Sequence, residues 1–544
     1  MMEVLRRHRR LTAFATYAVL AVVATWPLLA RFGTAVAGDG PGAWRTVWAF
    51  WWWGESIGRH ASPFFSDALR WPTGAPLPLQ VAQLPSAVAV LPLWPLTPAI
   101  PEVSLYNAVV LASYPLAGYA TYLLARDLWG GELAPFLAGA LHTVGVLHLG
   151  AAGQAVSIWP PVYFLGLVRT VRRHGVACPL VAGAALALAA LTAPAYLAAC
   201  LVGTAILAGA WWRNDRAALA SPAFARRVAL LLVTSVALAG WAYLGALPVA
   251  RALPQAAAPG ADLLSFLVPG RGSAWAPWAT RGPAAAAAPF AHAGYVVLAL
   301  AVVAAARATA SRAWLAVAAA GLVLALGPHL RVAGAEFPRV PLPLGWVGAA
   351  WPGGMAAIAP GHFAGLATFG LAVVAGAALA QVVRARRGGA ALAASLTLLA
   401  VAEAWPRPPA TSSWPSPRFL RDLARDGERW TVLDATRPER QLWNQVLHRH
   451  PQLGGDVDDR GAAPGGAGTG SAVVDALLDR APPASVAPGA APAQRQDAVR
   501  ALQRRNVRFV IVDEETLSAG RALRLPRAWA GDGLVVFEVP PGAG

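Results

Sequence analysis

Asp39 is the residue of this 544-residue chain whose type and surroundings best suit chemistry. It follows Gly38 and precedes Gly40-Pro41-Gly42, a turn sequence that leaves little bulk around a carboxylate. A carboxylate so exposed can act as a general base if it reaches the proton to be removed. It can equally cap its own turn through backbone N–H groups, a common use of aspartate in such sequences. Asp67, in FFSDALRWPTG, is a second acid in the same stretch. Two carboxylates can hold a divalent cation or divide base and electrostatic roles, but their separation along the chain says nothing about contact. Glu102 and Asp262 rank below these two as acid candidates.

An acid that works on a phosphate-bearing substrate needs positive partners. Arginine offers a forked donor set that is always charged. Arg45, Arg70, Arg271 and Arg281 are the candidates, and the glycines of VPGRGSAW leave the Arg271 guanidinium accessible. His292 and His362 stand where loops re-enter apolar runs. Each can carry a proton near neutral pH or serve in packing. His142 lies inside an apolar run beside Gly139 and Gly145 and reads as a packing residue.

These residues must be positioned by a chain built for lipid. It is 57% hydrophobic and only 13% charged, with a mean hydropathy of +0.49. Soluble domains carry about a quarter charged residues. The formal charge of +17 comes from 44 basic residues, every one an arginine. They cluster at the ends of apolar runs instead of lining a groove, so no nucleic-acid partner is expected. Cys178 and Cys200 both lie in apolar stretches and form neither a disulfide framework nor a metal-ligand spacing.

A helical span needs about 20 mostly apolar residues. Eleven runs are read as spans: 11–30, 104–125, 132–150, 156–168, 176–192, 195–212, 227–247, 292–306, 313–330, 361–383 and 390–403. The run at 84–96 is short and proline-rich, and reads as re-entrant or interfacial. With the amino terminus inside, arginines fall on alternate connections as the positive-inside rule requires. The loops 31–103, 248–291 and 331–360 are then outside, as is everything after Glu403. Within the first outer loop, Ala43–His60 is predicted helical, with Trp44, Trp48, Trp51, Trp52 and Glu55 at spacings of one to four. Such a helix is expected to lie in the membrane interface, where indoles prefer the boundary between headgroups and hydrocarbon.

Charge becomes frequent after Trp405. WTVLD (430–434), VRFVIVD (507–513) and LVVFEV (534–539) read as strands, and 494–506 as a helix. The Gly/Ala/Pro-rich pieces GAAPGGAGTG and APPASVAPGAAPA read as flexible insertions. The expected organisation is thus an all-α polytopic membrane domain (1–404) and a small extracytoplasmic α/β module (405–544). The module reads as a lid or partner-contact element, not an independent enzyme. The sequence contains no phosphate-binding glycine loop, HExxH, CxxC or nucleophile elbow. Ionisable residues within the spans are scarce, which disfavours an ion-coupled transporter.

The stretches ATWPLLARFGTAVAGDGPGAWRTVWAFWWW (24–53), FFSDALRWPTG (64–74), SLYNAVVLASYPLAGYATYLLARDL (104–128), ADLLSFLVPG (261–270), LALGPHLRVAG (324–334) and LWNQVLHRHPQLGGDVDDR (442–460) occur in this order along the chain. In this order they resemble bacterial membrane proteins of the GT-C glycosyltransferase superfamily, relatives of the dolichyl-phosphate-mannose-type transferases. The resemblance implies a GT-C-like fold in the bacterial cytoplasmic membrane and transfer of a sugar from a polyprenyl-phosphate donor to an extracytoplasmic acceptor. On that resemblance Asp39 would be the catalytic base; Asp67, Arg45, Arg271, His292 and His362 are the substrate-binding candidates from the residue types above. Some members use a divalent cation, Mg or Mn. Two positions depart from the family pattern. Gly42 stands where relatives carry a second acid, and Pro360-Gly361-His362-Phe363 where they carry proline-arginine-phenylalanine. The competing reading is a non-catalytic scaffold or a lipid- or polysaccharide-handling protein.

Overall fold

The computed structural model describes residues 2–38, 41–77, 101–148, 158–172, 175–214, 216–252, 260–269, 273–275, 292, 294–350, 358–385, 387–408, 411–455, 471–478 and 492–541. Asp39, Arg271, Arg281, the 84–96 run and most of the two insertions lie outside them.

Each apolar run forms a helix. These are α1 (Met2–Ala24), α3 (Glu102–Trp129), α4 (Leu133–His148), α5 (Trp159–Arg172), α6 (Ala177–Thr192), α7 (Pro194–Asn214), α8 (Pro222–Ala252), α9 (Tyr295–Arg307), α10 (Arg312–Ala325), α11 (His362–Ala385) and α12 (Gly389–Glu403). The helix α2 (Pro41–Gly58) belongs to the first loop. The count of eleven full spans is a finer reading than helix length and composition support. By length and composition, four described helices can cross a membrane: 102–129, 194–214, 222–244 and 362–385. Five more apolar helices, such as 177–192 and 389–403, are shorter. A helix rises 1.5 Å per residue, so one of about 15 residues falls short of a hydrocarbon core about 30 Å thick. Backbone breaks set these lengths. Ala193, before Pro194, is extended at φ −158°, ψ 135° and separates α6 from α7. The run expected to continue to Leu330 stops at Ala325, because Gly327 takes φ +84° ahead of Pro328. His329–Val332 then forms β4, paired antiparallel with β5 (Ala335–Pro341).

Small residues bring the helices together. A Cβ on Gly118 of α3 would lie 1.9 Å from Thr143 Oγ1 and 2.8 Å from the Gly139 carbonyl oxygen of α4. One on Gly370 of α11 would lie 2.9 Å from Ala318 of α10. Close backbone approach is how apolar helices associate where burying hydrophobic surface gives no advantage.

The carboxyl-terminal module is α/β, as expected. Its sheet has the order β7-β8-β10-β9, comprising β7 (Thr431–Asp434), β8 (Val507–Val512), β9 (Arg527–Gly531) and β10 (Leu534–Glu538). β7 and β8 run parallel, with Leu433 opposite Val510, and the other pairs are antiparallel. Between β7 and β8 lie α14 (Pro438–His448), α15 (Ala472–Leu478) and α16 (Pro492–Arg504), with α13 (Arg418–Leu423) ahead of the sheet. The unforeseen strand β9 turns into β10 through Asp532-Gly533, a dipeptide suited to two-residue hairpin turns.

The module is seated on the first loop. β1 (Val36–Ala37) pairs with β6 (Thr411–Ser412), and within the loop β2 (Phe65–Ser66) pairs antiparallel with β3 (Ala75–Pro76). Farther on, Arg70 and Trp71 donate backbone N–H groups to Gly454 and Gln452, and Gln452 donates to Ala68. Helix α2 packs directly against α14.

Candidate functional site

The backbone on both sides of Asp39 is fixed from several directions. Ahead of it, the Asn107 side chain of α3 donates to the carbonyls of Phe32 (2.8 Å) and Ala35 (2.7 Å) and accepts the Ala37 N–H (3.2 Å). Tyr106 donates its hydroxyl to the Ala37 carbonyl at 3.0 Å. Gly38 follows with φ +113°. Beyond the turn, Pro41 opens α2, a helix position where its missing N–H costs nothing.

The indoles of α2 are where the interfacial expectation needs correction. Trp44, Trp48, Trp51 and Trp52 are all buried, Trp48 completely. The covering surface is protein. Trp44 donates to Ser412 Oγ (2.8 Å) and Trp48 to Gln445 Oε1 (2.7 Å), while the Trp44 ring lies 5.3 Å from that of Trp443. Gln445 in turn donates to the Ala68 carbonyl at 2.6 Å. The spacing shows a helix with an apolar face, but not which surface covers that face.

Among the described residues, Asp67, His292 and His362 lie in separate surroundings. Arg45 is half-buried on α2. Asp67 pairs with Arg59 at 3.3 Å in a cavity between the loop and the module. His292 lines a different cavity, among Leu141, Thr368 and Ala400. There it contacts the Phe266 carbonyl through Nδ1 (3.3 Å) and faces Glu403 through Nε2 (3.7 Å). Glu403 also accepts the Val296 N–H at 2.9 Å, so this pair fastens the start of α9. His362 contacts the Ala359 carbonyl (3.2 Å) and packs edge-on against Tyr196. Asp262 accepts N–H groups from Leu264, Ala333 and Gly334 and joins its loop to the β4–β5 turn. His142 packs against Phe369, as its glycine-rich setting suggests.

The cavity that holds Asp67 has a volume of about 320 Å3. The module supplies Asp426, Trp430, His448 and His450 to its wall, residues that motif reasoning passed over. The His-Arg-His run at the end of α14 was the available signal. Trp430 and His450 stack with ring centres 3.5 Å apart. Burial, reinforced by the neighbouring His450, pushes the His448 imidazole down to about 3. Hydrogen bonds from the Glu428 backbone and the Trp430 indole hold the Asp426 carboxyl below its ordinary range. No donor set for Mg or Mn is assembled among the described residues, where no three His, Cys, Asp or Glu side chains group to hold a metal ion.

No family model and no curated protein sequence matches the chain. Solved structures do. Mycobacterial arabinofuranosyltransferase AftD superposes with a TM-score of 0.61 at 13% identity, over 99% of this chain and 40% of that one. The Archaeoglobus fulgidus oligosaccharyltransferase in its apo form gives 0.50 at 14%, over 93% and 70%. The chain shares the fold of these two structures. It spans about two fifths of the length of the AftD chain. At these identities the likeness is one of fold.

Proposed function

We propose that this chain is a GT-C membrane glycosyltransferase that moves a sugar from a polyprenyl-phosphate donor to an extracytoplasmic acceptor. The supporting observation is that the described residues flanking Asp39 are held, Ala37 by Asn107 and Tyr106 and the helix α2 by its burial against the module. Held flanks are what a positioned base requires, because misplacement by about 1 Å can cost a hundredfold in rate. Asp39 takes the proton of the acceptor hydroxyl. The acceptor oxygen attacks the anomeric carbon as its bond to the phosphate oxygen breaks, with inversion, and the lipid phosphate leaves. Arginine offsets the charge developing on that phosphate. The arginine distribution supports a bacterial inner-membrane location with loop and module outside.

The test is transfer of radiolabelled sugar from a polyprenyl-phosphate donor by membranes carrying wild type or Asp39→Asn. Asparagine keeps the size and most of the capping ability of aspartate but cannot accept the proton. The transferase reading expects a loss of about a hundredfold or more with normal folded yield. Unchanged transfer would favour the scaffold reading.

A further inference from the structure

Gly370 of α11 packs against Ala318 of α10, and Gly321 of α10 against Phe363 and Ala367 of α11. The two helices therefore run antiparallel, and the end of α10 at Ala325 stands beside the start of α11 at His362. With 24 residues, α11 rises about 36 Å, enough to cross a hydrocarbon core about 30 Å thick. The segment joining the two helix ends thus leaves from and returns to one boundary of the bilayer.

The described part of that segment is amphipathic and uncovered. In the hairpin β4–β5, Leu330 pairs with Phe337 and Val332 with Ala335, while Arg331 pairs with Glu336. Paired residues share a face and neighbours along a strand alternate, so one face is apolar and the other charged. Every residue of β5 is exposed. The short helix Pro343–Ala350 follows, with Leu344 buried and Trp346 and Val347 outward. Phe337, Val340, Trp346 and Val347 are 44–62% exposed. Asp262 fastens the hairpin turn to its own loop through the Ala333 and Gly334 N–H groups, and Leu263 and Leu267 of that loop are exposed as well. A run of large apolar side chains this dense calls for a covering surface.

We propose that the hairpin and the helix after it form a foot seated in the interfacial layer of the bilayer, with the lipid surface as its partner. Their level selects that partner, because an amphipathic element at the membrane boundary meets headgroups on one side and acyl chains on the other. Phe337 and Trp346 enter the edge of the acyl layer, where aromatic rings prefer to lie. Glu336, on the opposite face of the hairpin and 3.4 Å from His329, stays in water. The exposed Arg339 offers lipid phosphates a forked donor. The interfacial place that tryptophan spacing assigned to α2 falls to this segment instead. This role is independent of the transferase reading.

The experiment places a polarity-sensitive nitrobenzoxadiazole probe on Phe337→Cys, Trp346→Cys or Glu336→Cys in the full-length chain. The background is Cys178→Ala; Cys200 is fully buried and stays, and the chain without a new cysteine measures residual labelling. The protein is held in nanodiscs of phosphatidylcholine and phosphatidylglycerol. Quenching is compared between a phospholipid nitroxide near the top of the acyl chain and iodide in the buffer. Relative to the probe at 336, those at 337 and 346 should be quenched at least about twofold more by the nitroxide and twofold less by iodide. Equal quenching at the three sites, or the reverse order, overturns the proposal. So does shielding of 337 and 346 from both quenchers, which would put a second protein surface over this face.

Discussion

Trp48 and Gln445 meet across 397 positions of sequence, the indole N–H donating to the amide oxygen at 2.7 Å in a fully buried contact. The same amide donates through Nε2 to the Ala68 carbonyl. One side chain of the module thus joins two segments of the first loop, and the module determines how that loop is held.

Gln445→Leu should therefore loosen the seat. It leaves the Trp48 N–H unmatched in a buried setting, at a cost of about 1–3 kcal/mol, while the Ala68 carbonyl keeps the Gln452 N–H. Limited proteolysis of purified protein should cut the loop–module joint faster than in wild type, while Gln445→Glu, which keeps an acceptor for Trp48, should be milder. Equal cutting of wild type and Gln445→Leu would show that the contact is dispensable.

Asn107 is expected to act as a positioning residue for the turn at Asp39. Asn107→Leu removes three hydrogen bonds to the backbone of residues 32–37. It should lower kcat for sugar transfer about tenfold or more with a smaller change in KM, since the acid is displaced and not removed. A variant that folds and transfers normally would argue against this role.

His448 should make stability depend on pH. Its folded value near 3 lies below the ordinary 6.5 because burial disfavours the cation. Between those values the unfolded chain binds more protons, so this contribution is complete above about pH 6.5 and declines as pH falls toward 3. Burial raises the Asp434 carboxyl and acts in the opposite direction at low pH. The informative quantity is thus the difference between wild type and His448→Phe, which should shrink on acidification if the variant melts with a flatter pH profile. Parallel profiles from pH 7 to 4 would contradict the burial argument.

Gly118→Ala should push α3 away from α4. The new methyl would lie 2.8 Å from the Gly139 carbonyl oxygen, and backbone cannot step aside as a flexible side chain can. Overpacking of this kind costs about 1–3 kcal/mol, read as a lower melting temperature in detergent. An unchanged melting temperature would mean the two helices separate freely.

Orientation can be tested with reporters active only outside the cytoplasm, one fused after Arg387 and one after Gly544. Signal should come from the second fusion alone. Signal from both or neither would refute the arginine-based topology.

Local chemistry made several elements legible in the sequence. The break at Pro194, the helix following Pro41 and the strands at 431–434, 507–512 and 534–538 all follow from proline geometry or from side-chain period. Helix length was less legible, because an apolar run continues through a turn that its hydropathy does not register. The run to Leu330 bends at Gly327 for that reason.

Only the tertiary structure decided what covers the tryptophans of α2. Lipid headgroups and a protein surface both accept an indole, so composition cannot separate them; Gln445 and Ser412, far along the chain, supply the partners. The same holds for the candidate residues. Asp67, His292 and His362 were chosen by residue type, yet chain reversal placed them against Arg59, Glu403 and Tyr196 respectively. The cavity beside Asp67 is lined by residues as far apart as Trp51 and His448, nearly 400 positions along the chain. Their burial is a property of the folded chain that neither residue carries in its local sequence.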